Sequence, residues 1–184
     1  RTTGAAESLH SACEDTGATT PSPVERQQLA VGLARLGFSA AAEDCLQGVS
    51  MLPRTQLAIG RALLRTGQQA KGTSLLLSLA RQHPHHASSA EAARLLSEPL
   101  HPNPAVLDAL PAELQQASAA VAAARVRLAN GAGAEKVLTR WPDDPDIWQL
   151  QWDLARKALL SRSWARAQTL LKRDTSLDPL PGPL

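Results

Sequence analysis

Four turns, marked by Gly37, Gly67, Gly131 and Ser163, each separate an apolar-periodic run from a second run rich in Ala and Leu. They lie 30, 64 and 32 positions apart (37 to 67, 67 to 131, 131 to 163), so the middle interval holds two periods of about 32. A repeat of that length is the mark of stacked helical hairpins, because one hairpin cannot bury its apolar face alone and needs neighbours to complete a core. The expected fold is all-α, an α-solenoid of stacked antiparallel helical hairpins with a period of about 32 residues. The absence of Tyr and the single Phe agree with it, since a chain dominated by Ala and Leu suits close helix contacts better than a β core.

Charge narrows the partners. The 19 basic and 17 acidic residues are spread along the chain, with no basic tract to serve as a phosphate footprint, so nucleic acid is not an expected partner. No stretch reaches the ~18 apolar residues that read as a membrane span. Cys13 and Cys45 are the two cysteines, and a chain of 184 residues does not need a disulfide for stability. Spacing alone does not show that they meet, and two unpaired thiols are the favoured expectation, with pairing in an exporting compartment as the alternative. The chain begins at Arg1 and ends in a Pro-Leu-Pro-Gly-Pro-Leu run, so an excerpt or a processed form of a longer protein is expected.

The expected organisation is a flexible segment over 1–21, with a short helix near Ala5–Cys13, a helical-repeat domain over 22–177 and a tail or linker over 178–184. Ser22-Pro23-Val24-Glu25 predicts a helix start: Ser22 caps, Pro23 fits the first turn and Glu25 closes a capping box. Leu29, Leu33 and Leu36 then share a face until Gly37, and Ala40–Leu46 returns. The second unit runs through Leu57, Leu63 and Leu64 to Gly67, then through Leu75, Leu76 and Leu79 to His83-Pro84. Ser88-Ser89-Ala90-Glu91 predicts another capping box, and Asn103-Pro104 starts a short helix to Leu110; prolines make this unit degenerate. A long Ala-rich helix is predicted from Pro111 to Asn130, followed by Ala134–Arg140, a helix capped by Asp144 and running from Pro145 to Leu160, and a last one from Trp164 to Arg173.

Trp141, Trp148, Trp152 and Trp164 all fall within 24 residues, after none in the first 140. Trp148 and Trp152, four apart, share a helix face, and indole rings can stack on sugars or anchor a partner. Large residues at helical spacing usually answer a packing need, so inter-repeat core is the favoured expectation and a ligand surface the competing one. His83-Pro84-His85-His86, with His101 beyond, lacks the one-face spacing of metal ligands and is expected to be a solvated loop; no metal and no cofactor are expected. Glu7-Ser8 lacks the apolar continuation and pocket that a glycosidase acid requires, and no nucleophile elbow, phosphate loop or dinucleotide fingerprint occurs, so no catalytic residue is assigned.

The unit from Val121 through Asn130-Gly131, Ala134, Leu138 and Asp144-Pro145 resembles a tetratricopeptide repeat, although the aromatic positions of that family are filled elsewhere by Ala or Leu. The stretch Trp141-Pro142 to Trp148, and Leu159-Leu160-Ser-Arg-Ser-Trp164-Ala-Arg-Ala to Leu171, looks like the superhelical region of soluble lytic murein transglycosylases, as do Leu36-Gly37 and Arg61–Leu64. The resemblance implies a non-catalytic scaffold of a bacterial cell-envelope or periplasmic enzyme that cleaves the MurNAc-GlcNAc β-1,4 bond of peptidoglycan. Its partner would be a glycan strand, met by the four tryptophans. The alternative is a tetratricopeptide-like protein-interaction module holding a peptide in its groove, with Arg61, Arg65, Arg125 and Arg127 as contacts.

Overall fold

The computed structural model describes residues 2–13, 21–98 and 102–172, and the described residues are helical with no strand. The expected tail over 178–184, the last residue of the helix expected to end at Arg173, and His101 lie outside them. The chain divides at Ser118 into two compact units.

The first unit holds α1 (Thr2–Cys13), α2 (Pro23–Arg35), α3 (Ser39–Cys45), α4 (Pro53–Arg65), α5 (Gln69–Gln82), α6 (Ala87–Leu96), α7 (Pro104–Asp108) and α8 (Ala112–Ala117). Consecutive helices pair as α2 with α3 and α4 with α5, while α2 packs on α4 and α4 on α6. The capping box at Ser22 forms as expected: its Oγ accepts the Glu25 N–H, and a Glu25 carboxylate oxygen accepts the Ser22 N–H at 2.7 Å. Those hydrogen bonds hold the Glu25 carboxyl below its ordinary pKa. Around α2 the core is built from Ala30, Leu33, Ala34, Ala42, Ile59 and Leu63.

Small residues set the spacing of α4 against α5. A Cβ added to Gly60 would lie 2.6 Å from Leu76 Cδ2, and one on Gly72 would lie 3.0 Å from the Gly60 carbonyl oxygen. The two glycines let the backbones approach closely enough for the fully buried Leu76 to fill the contact.

The second unit holds α9 (Ala119–Leu128), α10 (Ala134–Arg140), α11 (Pro145–Leu160) and α12 (Trp164–Lys172). Helix α11 packs on α12, α9 and α10, around a core of Ala123, Val126, Leu138, Ile147 and Leu150. Its start follows expectation, with Asp144 Oδ1 accepting the Asp146 N–H at 2.9 Å and Pro145 in the first turn.

All four hairpin turns close with the same backbone bond, from an N–H to the carbonyl five residues earlier: Phe38 to Leu33, Gln68 to Leu63, Gly131 to Val126 and Ser163 to Ala158. This closure puts the preceding residue in the left-handed region. Gly37 and Gly67 supply it in the first unit. In the second unit the residue is Asn130 (φ 54°) and Arg162 (φ 58°), so the turn markers Gly131 and Ser163 sit one position late.

Three further expectations are corrected. The helix predicted from Pro111 to Asn130 is interrupted at Ser118, whose extended backbone (φ −91°, ψ 117°) ends α8 before α9 begins. The cap expected from Ser88 is made by His86, whose Nδ1 accepts the Ser88 N–H at 3.0 Å; Ser88 and Ser89 are buried, and Ser89 donates to the His83 carbonyl at 2.6 Å. Cys13 and Cys45, expected as unpaired thiols, form a disulfide (Cα to Cα 5.3 Å) that ties the end of α1 to the end of α3. Spacing could not reveal this, because α2 and α3 fold back and bring the two helix ends together.

Candidate functional site

In the first unit, the C-terminal half of α4, the start of α5, the end of α6 with Glu98, and Asn103 and Val106 at α7 line a cavity of about 740 Å³. Its size falls in the range of ligand clefts. Leu64, Leu95, Leu96 and Val106 give it an apolar lining, and Gln69, Thr73 and Asn103 add amide and hydroxyl groups. Arg61 and Arg65, one turn apart on α4, bring two guanidinium groups to the same wall, and Glu98 stands among them.

The position of Arg61 is fixed from α6. Glu91 accepts from Arg61 Nη2 at 3.4 Å and takes a two-pronged bond from Arg94, through Nε and Nη2, at 2.8 Å each. The Arg94 hydrogen bonds, and then the charges of Arg94 and Arg61, hold the Glu91 carboxyl below its ordinary pKa despite an opposing desolvation cost. One carboxylate thus serves two guanidiniums behind the wall, and the wall itself carries two cations, Arg61 and Arg65, against one anion, Glu98. Such a wall can accept an anionic or carbonyl-rich ligand, while the leucines bury apolar groups.

The other two arginines of the expected set lie in the second unit. Arg127, on α9, is largely buried and donates through Nε to Asp153 of α11 at 3.0 Å, a bond that joins two helices. Arg125 is exposed on α9.

The tryptophans divide. Trp141 is half-buried against the core of the second unit, with the Arg140 guanidinium 4.4 Å from its ring centre. Trp148, Trp152 and Trp164 are 42%, 58% and 65% exposed, so the core expectation fails for these three. Ile147, Leu150, Ala155 and Ala158 carry the buried stripe of α11, and Trp148 and Trp152 stand on its outer face one turn apart. Trp148 is held by an N–H bond from Nε1 to the Pro142 carbonyl at 2.8 Å. Leu159 and Leu160 extend the exposed apolar surface at the end of the helix.

His83, His85 and His86 lie exposed in the loop between α5 and α6, as expected, and Glu7 is exposed on α1. Among the described residues no group of three or more His, Cys, Asp or Glu is placed to hold a metal ion, and no helix is long and apolar enough to cross a membrane. The cavity itself was only half legible. Arg61 and Arg65 stand out as cations on an apolar helix, whereas Asn103 and Val106 belong to a short proline-started helix whose sequence carries no sign that it packs near α4. No protein-family model, no curated protein and no solved structure matches this chain.

Proposed function

We propose that this chain is a helical-repeat binding module whose first unit holds a peptide segment in the α4–α7 cavity. The observation that carries the reading is the pairing of Arg61 and Arg65 with a leucine-lined wall in a cavity of about 740 Å³. Main-chain carbonyls or acidic side chains of a peptide would meet the guanidiniums, and its apolar side chains would fill the space beside Leu64, Leu95 and Leu96. The packing of α2 on α4 and of α4 on α6 supports a tetratricopeptide-like stack with a period of about 32 residues. The test is to pan a random dodecapeptide phage library on the full chain and to measure selected peptides against Arg61→Ala/Arg65→Ala. Binding at least tenfold weaker in the double variant is expected; no enrichment over a nonbinding helical-repeat control would remove the reading.

A second reading is favoured by the exposure of Trp148, Trp152 and Trp164: a non-catalytic scaffold of a lytic murein transglycosylase, with these indoles stacking on a peptidoglycan glycan strand. The Cys13–Cys45 disulfide supports an oxidising, cell-envelope location. Co-sedimentation with insoluble peptidoglycan, lost in Trp148→Ala/Trp152→Ala with helicity unchanged by circular dichroism, would favour the scaffold. Its absence at moderate salt would leave the peptide module.

A further inference from the structure

We infer that the α11–α12 hairpin docks on an anionic lipid surface, with Leu160 and Trp164 entering the headgroup region and the surrounding cations meeting lipid phosphates. The charges that nearly balance over the whole chain do not balance here. From Leu154 to Lys172 the chain carries Arg156, Lys157, Arg162, Arg166 and Lys172, all exposed, and no Asp or Glu. The described acids of the second unit lie elsewhere: Glu135 on α10, Asp143 and Asp144 in the loop before α11, and Asp146 and Asp153 earlier on α11. Asp153 accepts from Arg127 and so is directed at α9. Asp174 and Asp178 lie outside the described residues.

Apolar groups stand among these cations. Trp148, Trp152, Arg156 and Leu159 follow one another at helical spacing on the outer stripe of α11, away from the buried Ile147, Leu150, Ala155 and Ala158. Leu160, at the end of the helix, is 79% exposed. The bond from the Ser163 N–H to the Ala158 carbonyl then folds the chain back, so that Trp164, 65% exposed, opens α12 at the same end of the hairpin.

This mixture suits a bilayer better than other partners. A further packed helix would cover the leucines only by burying guanidiniums beside them with no acid from this stretch to pair them. A glycan strand would stack on the indoles but leave Leu159 and Leu160 in water, and a nucleic acid would take the cations and do the same. At a lipid interface each group is satisfied: indole and leucine leave water, while the long cationic side chains keep their heads at phosphate level. Each such cation strengthens binding to an anionic membrane about fivefold.

Flotation of the full chain with vesicles of phosphatidylcholine containing a quarter phosphatidylglycerol, against vesicles of phosphatidylcholine alone, tests this at moderate salt. Binding to the anionic vesicles should be at least tenfold tighter. Leu160→Ser/Trp164→Ser, at two exposed positions, should weaken it at least tenfold with circular dichroism unchanged, and Arg156→Glu/Arg166→Glu should do the same through charge. Lipids brominated on the acyl chain should quench the tryptophan fluorescence of the parent, a reading of insertion that needs no variant. Equal binding to both vesicles, or binding to neither, would overturn the proposal. So would anionic binding that survives the Leu160/Trp164 variant or leaves the tryptophans unquenched, since charge attraction alone would then account for it. Sedimentation with peptidoglycan in the absence of vesicle binding would likewise overturn it and return the tryptophans to the glycan reading.

Discussion

The side-chain carbonyl of Gln27, on α2, accepts the Leu52 N–H at 3.0 Å and so caps α4 from the neighbouring hairpin. The same oxygen accepts the Thr55 hydroxyl at 2.7 Å, and the Gln27 amide donates to the Ser50 carbonyl at 3.3 Å. Leu52 has no side chain able to cap, so a buried glutamine 25 residues upstream supplies the acceptor. Replacing Gln27 by Leu keeps the bulk and strands three polar groups, at a cost of about 2 kcal/mol. Urea unfolding of Gln27→Leu should show that loss, with Thr55→Val losing less. Equal stability of Gln27→Leu and the parent would mean that water satisfies the freed groups.

Arg162 holds a left-handed backbone at φ 58°, where its Cβ crowds the following carbonyl. Arg162→Gly removes that strain and raises the entropy of the unfolded chain, for a net gain of about 0.5 kcal/mol. Asn130→Gly, at φ 54°, should gain less, because Asn tolerates this conformation. Chemical denaturation of both variants checks the ordering, and a loss of stability in Arg162→Gly would show that its side chain makes a contact worth more than the strain.

Glu91 gives unit 1 an acid-sensitive element. Its carboxyl titrates below the ordinary value of 4.5 in the folded chain, chiefly through the Arg94 hydrogen bonds. A depressed folded pKa adds stability that is complete above the unfolded value and disappears as pH falls through the folded one. The three side chains are 32% to 43% exposed, which holds the contribution to about 1 kcal/mol or less. Glu91→Gln should therefore be less stable than the parent at pH 7, with the gap narrowing only as pH falls below 4.5 through the lowered folded value; a gap that stays constant down to the acid unfolding of the parent would assign the loss to packing rather than charge.

The sequence discloses what is local. Ser22, Asn103 and Asp144 cap the helices they precede because an N-cap needs only a short polar side chain and a free N–H two or three residues on. Ser88 fails by the same rule, since the His86 imidazole, two residues earlier, takes the Ser88 N–H and starts the helix sooner. Spacing puts Trp148 and Trp152 on one face but does not say which face turns inward; Ile147, Leu150 and Leu154 offer a second apolar face of the same helix. Ser118 breaks an otherwise uniform run of helix formers and carries no local signal for it. The mutual fit of Gly60 and Gly72 depends on how α4 crosses α5, which neither helix encodes alone.

The cross-link also changes how this chain meets force. A pull entering through α1 passes at Cys13 straight into Cys45, 32 positions on, so the chain between them carries no load. About 110 Å of contour is thereby withheld from extension. Tension applied along the backbone would reach α4 before it touched α2, and the first hairpin would remain folded while the chain beyond it unravelled. The same pull on the reduced chain would unzip it from α1 inward, so the order in which the helices yield is set by two sulfur atoms.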